Sequence, residues 1–174
     1  MTDHGTERSP LAARVLAMAE DIKAAAKGRP PAPVVLAHAR RGFVIGGVVS
    51  NVLDDYAVVR RDNYPVCDDF CRRTAKMLHD VLGPHLIRRY NTGTTDAEIF
   101  QLADVGEAEL RESTVEDIDH IAGALITLGA TLLDITGPLA DRPELPPAIR
   151  GAARVAADSA KILWSHYGGD SGGW

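Results

Sequence analysis

Apolar residues recur at helical spacing along most of this chain, and glycines and prolines divide it into about six segments. The longest regular pattern begins after Ser113, which forms a capping box with Glu116 and precedes the apolar series Ile118, Ile121, Leu125, Leu128, Leu132 and Ile135. Further apolar residues widen this face, which indicates a helix contacted from two sides. We therefore predict that residues 113–135 form the centre of a helical bundle, and that Gly137-Pro138 ends this helix.

A second regular pattern follows a proline-rich connector. Pro146-Pro147 is typical of a helix start, and the apolar series that follows is Ile149, Ala153, Ala156, Ala160, Leu163 and Tyr167. A row of alanines permits a short distance between helix axes. We expect this last helix to pack against the helix that starts at residue 113.

The stretch from Val34 to Arg61 fits two structures. As a helix, it has an apolar seam with small residues at Ala39, Gly42 and Gly46. As strands, residues 43–45 and 48–49 would flank a two-residue Gly46-Gly47 turn. The absence of alternating polar residues favours the helix.

The predicted fold is thus an all-α, single-domain bundle of five or six helices, with an α+β fold containing a β-hairpin near residues 43–50 as the alternative. A chain of 174 residues suits one domain. We expect the helical domain to occupy residues 9–168, between a flexible N-terminus at residues 1–8 and a flexible tail at residues 169–174.

Composition indicates a cytoplasmic protein. The N-terminal residues contain no apolar stretch of the signal-peptide type, and the uncharged run at residues 42–53 is too short to cross a bilayer. We therefore expect no membrane partner. Two cysteines four residues apart are expected to be free thiols in a reducing compartment. Fifteen arginines against four lysines suggest a G+C-rich, bacterial genome.

Charge is unevenly distributed along the sequence. Residues 29–90 contain ten basic and six acidic residues, whereas residues 91–145 contain twelve acidic and two basic ones. Eight of the ten basic residues form adjacent pairs, which are Arg40-Arg41, Arg60-Arg61, Arg72-Arg73 and Arg88-Arg89. These eight arginines are the candidate partner-binding residues. They either neutralise the acidic stretch, within the fold or across a dimer, or contact an external anionic partner such as a nucleic acid.

Two weaker patterns concern metal binding and catalysis. Cys67, Cys71, His79 and His85 could supply metal ligands, but zinc sites pair their ligands at shorter spacings. We expect buried structural cysteines, no metal and no cofactor. Arg73 and His79 have the spacing of a metal-independent ribonuclease pair, with His79 as the acid–base group, although a chain with fifteen arginines and six histidines produces such a spacing by chance.

The leading functional hypothesis is a non-enzymatic, cytoplasmic interaction or regulatory module. We expect it to form a homo-oligomer or bind another protein, through helix packing and complementary charged segments. The alternative is a nucleic-acid-binding or ribonuclease-like helical protein that uses the arginine pairs and His79.

Overall fold

A computed structural model describes residues 9–56, 67–90, 96–112 and 115–168. These ranges form seven helices: α1 (Pro10–Ala25), α2 (Ala32–Tyr56), α3 (Cys67–Leu82), α4 (Pro84–Tyr90), α5 (Asp96–Leu110), α6 (Val115–Ala140) and α7 (Pro147–His166). No strand occurs within them. The all-α prediction is confirmed, but the number of helices exceeds the five or six expected. The predicted flexible ends, residues 1–8 and 169–174, lie outside the described residues.

Helix α2 is the central element of the bundle, because it contacts each of the other six helices. Its side chains Phe43, Ile45 and Val49 are completely buried. The alternative β-hairpin near residues 43–50 was wrong, since this whole segment lies inside α2. Gly46 permits close packing instead of a turn: a methyl group there would lie 3.1 Å from Leu163 of α7 and 3.2 Å from the Cys71 sulfur of α3.

Helices α6 and α7 form the most extensive helix pair in the structure. The alanines of the predicted seam, Ala153, Ala156 and Ala160, have no exposed surface. The expected pairing of these two helices is confirmed. The expected central position of α6 is not, because the extensive contacts of α6 are with α1, α2 and α7, whereas α2 contacts all six other helices.

Helix α6 also continues beyond the point where the sequence predicted its end. Gly137-Pro138 lies inside the helix, which extends to Ala140. A proline removes the hydrogen bond to the carbonyl four residues earlier. Both Pro138 and Asp134 are exposed, so water can satisfy the Asp134 carbonyl and the helix tolerates the loss.

Polar contacts fix the outer helices to this core. Ser9 caps α1 by accepting a hydrogen bond from the Ala12 amide at 3.1 Å. The Leu11 amide in the same turn donates to the Glu109 carboxylate of α5 at 2.9 Å, where a negative charge is favourable. On the other side of the bundle, the buried hydroxyls of Thr74 in α3 and Ser159 in α7 are 2.6 Å apart.

The packing of α6 against α7 predicts opposite effects for two glycines of the same helix. A methyl group on Gly129 would lie 2.7 Å from the Trp164 backbone nitrogen and 2.9 Å from its Cα, whereas one on Gly123 would have no atom within 4 Å. We expect Gly129→Ala to lower the free energy of unfolding by about 1–3 kcal/mol through overpacking. Gly123→Ala should raise it by about 0.5–1 kcal/mol through helix propensity.

Urea denaturation followed by circular dichroism, at equal protein concentrations, measures both free energies of unfolding. Equal effects of the two substitutions would contradict the close contact between α6 and the backbone of α7.

Candidate functional site

Arg40 joins the basic part of the chain to the acidic part. Its guanidinium donates two hydrogen bonds to the Asp96 carboxylate, at 2.8 and 3.2 Å, and so ties α2 to α5. The Arg40 side chain is only 12% exposed, compared with 36% for that of Asp96. A bidentate, largely buried pair is geometrically specific. Arg40 therefore serves the internal structure in this conformation and is not free for an external partner.

The neighbouring Arg41 is buried in the same part of α2. Burial lowers the pKa of Arg41 from its ordinary value, and the Asp21 carboxylate opposes that shift. His38, one turn earlier, is also buried, and its Nδ1 atom has no hydrogen-bond partner among the described residues. Burial is the main cause that lowers the pKa of His38, and the charge of Arg41 adds to it. Neither side chain is placed to bind a partner at the surface.

The arginines of α3 are exposed but paired within their own helix. Arg72 contacts Asp68, and Arg73 contacts Asp69 at 2.7 Å, each pair being one turn apart. Arg73 and His79, the predicted ribonuclease pair, lie about 120° apart around the helix because they are separated by six residues. The structure therefore does not bring this pair together on one face of α3.

Arg88 and Arg89 of α4 are different, because both are exposed and neither forms an ion pair with a described residue. The Arg89 guanidinium lies 5.7 Å from the centre of the Tyr90 ring, within the range of a cation–π contact. The fourth pair, Arg60-Arg61, lies outside the described residues. Among the candidate arginines that are described, this pair is the one available to an anion.

The two cysteines lie on the buried face of α3 as free thiols. Burial, with smaller contributions from Asp54 and Asp68, raises the pKa of Cys67 to about 12. Burial also raises the pKa of Cys71. Both are therefore protonated at neutral pH, which makes them poor nucleophiles and poor metal ligands. Within the described residues, no three His, Cys, Asp or Glu side chains lie close enough to hold a metal ion, so Cys67 and Cys71 are not joined by His79 and His85.

A cleft of about 190 Å³ separates α1 from α6. Its lining residues are Ala12, Leu16, Asp119, His120, Gly123, Ala124 and Thr127. The Thr127 hydroxyl already donates to the Gly123 carbonyl at 3.1 Å. The remaining polar groups are one imidazole and one carboxylate on consecutive residues, which point about 100° apart on a helix. The cleft thus lacks a nucleophile aligned with a base.

One side of α6 carries a row of apolar side chains that the bundle buries only in part. Ile126, Ala130 and Leu133 lie on one side of the helix, at intervals of four and three residues, and each is half-buried. The apolar pattern predicted that this second face contacts another part of the bundle. The spacing identified the face, and the structure shows that its side chains are partly exposed.

By length and hydropathy alone, Ala32–Asp54 of α2 and Asp117–Ala140 of α6 could each cross a membrane. A buried core helix meets the same criterion. In α2, 72% of the most apolar stretch is buried inside the protein, compared with 39% in α6. Helix α2 is therefore explained as the core of the bundle.

Comparison with protein-family models, with curated proteins and with solved structures gives no match. Function is therefore inferred from the residues of this chain alone.

The burial of His38 predicts a pH dependence of stability. Because the pKa of His38 is lower in the folded state than its ordinary value of 6.5, the unfolded chain binds the proton first as the pH falls. The stability is thus fully present above pH 6.5 and decreases as the pH falls towards the folded-state pKa. One such group contributes at most about 1.4 kcal/mol per pH unit.

We expect His38→Gln to reduce the loss of unfolding free energy between pH 7.5 and 5.5, as measured by urea denaturation at several pH values. His85→Gln, which replaces an exposed histidine of α4, is the matched control and should keep the original slope. An unchanged slope in His38→Gln would show that this imidazole is not the acid-sensitive group.

Proposed function

We propose that this chain is a non-enzymatic, cytoplasmic interaction or regulatory module that associates with itself through helix packing. The observation that supports this most directly is the incomplete burial of α6. It is the more apolar of the two long helices, yet the smaller share of its apolar stretch is buried, 39% against 72% in α2. Contiguous apolar surface that a fold leaves open is characteristic of an interaction site.

The form of the open side of α6 favours another helix as its partner. Ile126, Ala130 and Leu133 form a row of side chains at intervals of four and three residues. Ridges of this kind fit the grooves of a facing helix. Leu133 also packs against the core. The row of Ile126, Ala130 and Leu133 is therefore already ordered before a partner binds, which lowers the entropic cost of association.

The charged and titratable residues are compatible with a module that has no catalytic role. Arg40, Arg72 and Arg73 each contact an aspartate of the same chain, and Arg41 is buried. The two protonated thiols suit a reducing compartment, because they are neither bridged nor activated. Among the described residues, no nucleophile, base and orienting group converge as general catalysis requires.

Self-association can be tested with one substitution on the open side of α6. We expect the wild-type protein to show concentration-dependent association in sedimentation velocity at micromolar concentrations. Ile126→Glu should raise the dissociation constant at least about tenfold, since it would place an unpaired carboxylate in an apolar contact.

Val155→Glu is the matched control, because Val155 is a 47% exposed aliphatic residue of α7 and lies on a different face of the bundle. It should associate like the wild type, and both variants should retain the helical circular dichroism spectrum. A wild-type protein that remains monomeric over the whole concentration range would contradict the proposal.

A second candidate function, nucleic-acid binding, is favoured by one observation only. Arg88 and Arg89 are exposed without an acidic partner among the described residues, next to the aromatic ring of Tyr90. Arginine and an adjacent aromatic ring are typical of surfaces that bind single-stranded nucleic acid.

If this second function is correct, the protein should bind single-stranded RNA in a fluorescence anisotropy titration at physiological salt. Arg88→Glu/Arg89→Glu should abolish that binding, whereas the matched reversal Arg72→Glu/Arg73→Glu should weaken it less, because those arginines already contact aspartates. The absence of binding by the wild type would eliminate this candidate.

A further inference from the structure

We propose that the cleft between α1 and α6 binds a small organic amine, whose ammonium group pairs with Asp119 and whose hydrocarbon body lies against Leu16 and Ala124. These three residues line the cleft, whereas no residue of the half-buried apolar row on α6 does. The inference therefore goes beyond the proposed self-association and does not rest on it. It follows from the size of the cleft, from its buried apolar wall, and from the polar groups that face it.

The cleft has the size of a small ring compound. Its volume is about 190 Å³, and a dry protein cavity of about 150 Å³ is large enough to hold benzene. Gly123 keeps this space open, because a methyl group on it would have no atom within 4 Å. A ligand with a single ring and a short substituent therefore fits between the two helices, whereas a lipid chain is too long for it.

The buried wall of the cleft is apolar. Ala12 of α1 and Ala124 of α6 line it and are almost completely buried, at 2% and 1% exposure. Leu16 lines the same cleft and is half-buried. Contact with these side chains removes hydrocarbon surface of a ligand from water, which is favourable. The wall thus favours a ligand with an apolar body.

Two of the polar groups that line the cleft can only accept hydrogen bonds. The Thr127 hydroxyl donates its proton to the Gly123 carbonyl at 3.1 Å, so its oxygen can only accept a further bond from a ligand. The ionised carboxylate of Asp119 is also only an acceptor. Asp119 is exposed and forms no ion pair with a described residue. A ligand of this cleft must therefore supply the donors.

The third polar group is the imidazole of His120. Its Nδ1 atom is buried without a hydrogen-bond partner among the described residues, so Nε2 is the nitrogen that a ligand can contact. A nitrogen of a neutral imidazole can accept a hydrogen bond, and an ammonium group carries three donors. A primary amine in its protonated form can thus serve Asp119, Thr127 and His120 together, whereas an alcohol brings only one proton.

The charges around the cleft also favour a cation. No Lys or Arg is among the residues that line it. Arg14 of α1 lies two residues from both Ala12 and Leu16, which places it on the opposite side of that helix. Glu20 follows Leu16 by one turn on the same side of α1 and is exposed, so the nearest charge along this side of α1 is also negative.

Other ligand classes fit the cleft less well. A carboxylate or phosphate would meet the like charge of Asp119, which is unfavourable. A neutral hydrocarbon would fill the apolar wall but would leave the acceptors without donors. A metal ion would find too few ligands, since no three His, Cys, Asp or Glu side chains of the described residues are close enough to hold one. A small amine is the ligand that uses the wall and the acceptors together.

Benzylamine, which is cationic at neutral pH, is the probe for this site. In a titration of the isotopically labelled full chain followed by NMR, we expect shifts of the backbone amides near Leu16 and Gly123. The expected dissociation constant is on the order of 1 mM, as for other ligands of this size. Benzyl alcohol has the same ring without the charge and should bind about three- to fivefold more weakly. Benzoate should cause no shifts at these residues.

Two substitutions test the two halves of the site. Asp119→Asn should weaken benzylamine binding about three- to fivefold and remove the preference over benzyl alcohol. Asp134→Asn, which changes another exposed aspartate of α6 outside the cleft, is its matched control and should bind like the wild type. Gly123→Leu should abolish the binding of both probes, because its side chain fills the open space.

Gly151→Leu is the control for Gly123→Leu, because Gly151 of α7 also has no atom within 4 Å of an added methyl group and does not line the cleft. It should bind both probes, and all variants should keep the helical circular dichroism spectrum. The inference is overturned if benzylamine causes no shifts at the cleft, if benzyl alcohol binds the wild type equally well, or if Gly123→Leu binds like the wild type. A protein that is monomeric in sedimentation and binds benzylamine at this cleft would uphold the inference, although the proposed self-association would fail.

Discussion

The fold depends on how closely other helices can approach α2. This helix contacts all six of the others, and such contact is possible only where its side chains are small. Gly46 leaves room for Leu163 and Cys71 on neighbouring helices, and Phe43, Ile45 and Val49 fill the space around it. Because interiors are packed to crystal-like density, a larger residue at Gly46 would displace two helices at once.

The central position of α2 explains why its two adjacent arginines interact with carboxylates of the same chain. Arg40 and Arg41 lie on a helix that is enclosed on nearly every side. Their charges must therefore be compensated by carboxylates inside the protein or be exposed to water at its surface. Arg40 meets Asp96, and Arg41 is stabilised by the Asp21 carboxylate. Removing one partner of a buried pair leaves an uncompensated charge. Adjacent arginines in a sequence suggest a binding surface. In the structure, Arg40 and Arg41 instead stabilise the arrangement of the helices.

Helix α6 differs from α2 in its position within the bundle. It is apolar enough for a core, but it lies at the side of the bundle and is covered by α1, α2 and α7 only. The consequence is a row of apolar side chains, Ile126, Ala130 and Leu133, that is buried only in part. The proposed function derives from this mismatch between composition and position. A helix that is apolar on a wide arc is typically contacted on that arc.

The sequence by itself determined the helical class, the start of α7, the alanine seam of α7, and the burial of Cys67 and Cys71. These features follow from local spacing, which sets the side of a helix on which each residue lies. Spacing did not reveal that Pro138 lies within α6. The free-energy cost of the hydrogen bond that Pro138 removes depends on whether water reaches the Asp134 carbonyl, and spacing does not report this.

Only the tertiary structure decided that α2 and not α6 is central, that Arg40 pairs with Asp96, and that Gly129 lies against the backbone of Trp164. Each of these depends on residues far apart in the chain, and the distances between such residues are set by how helices pack. Hydrophobic patterns report which face of a helix is apolar, but they carry no information about which neighbour, if any, covers it.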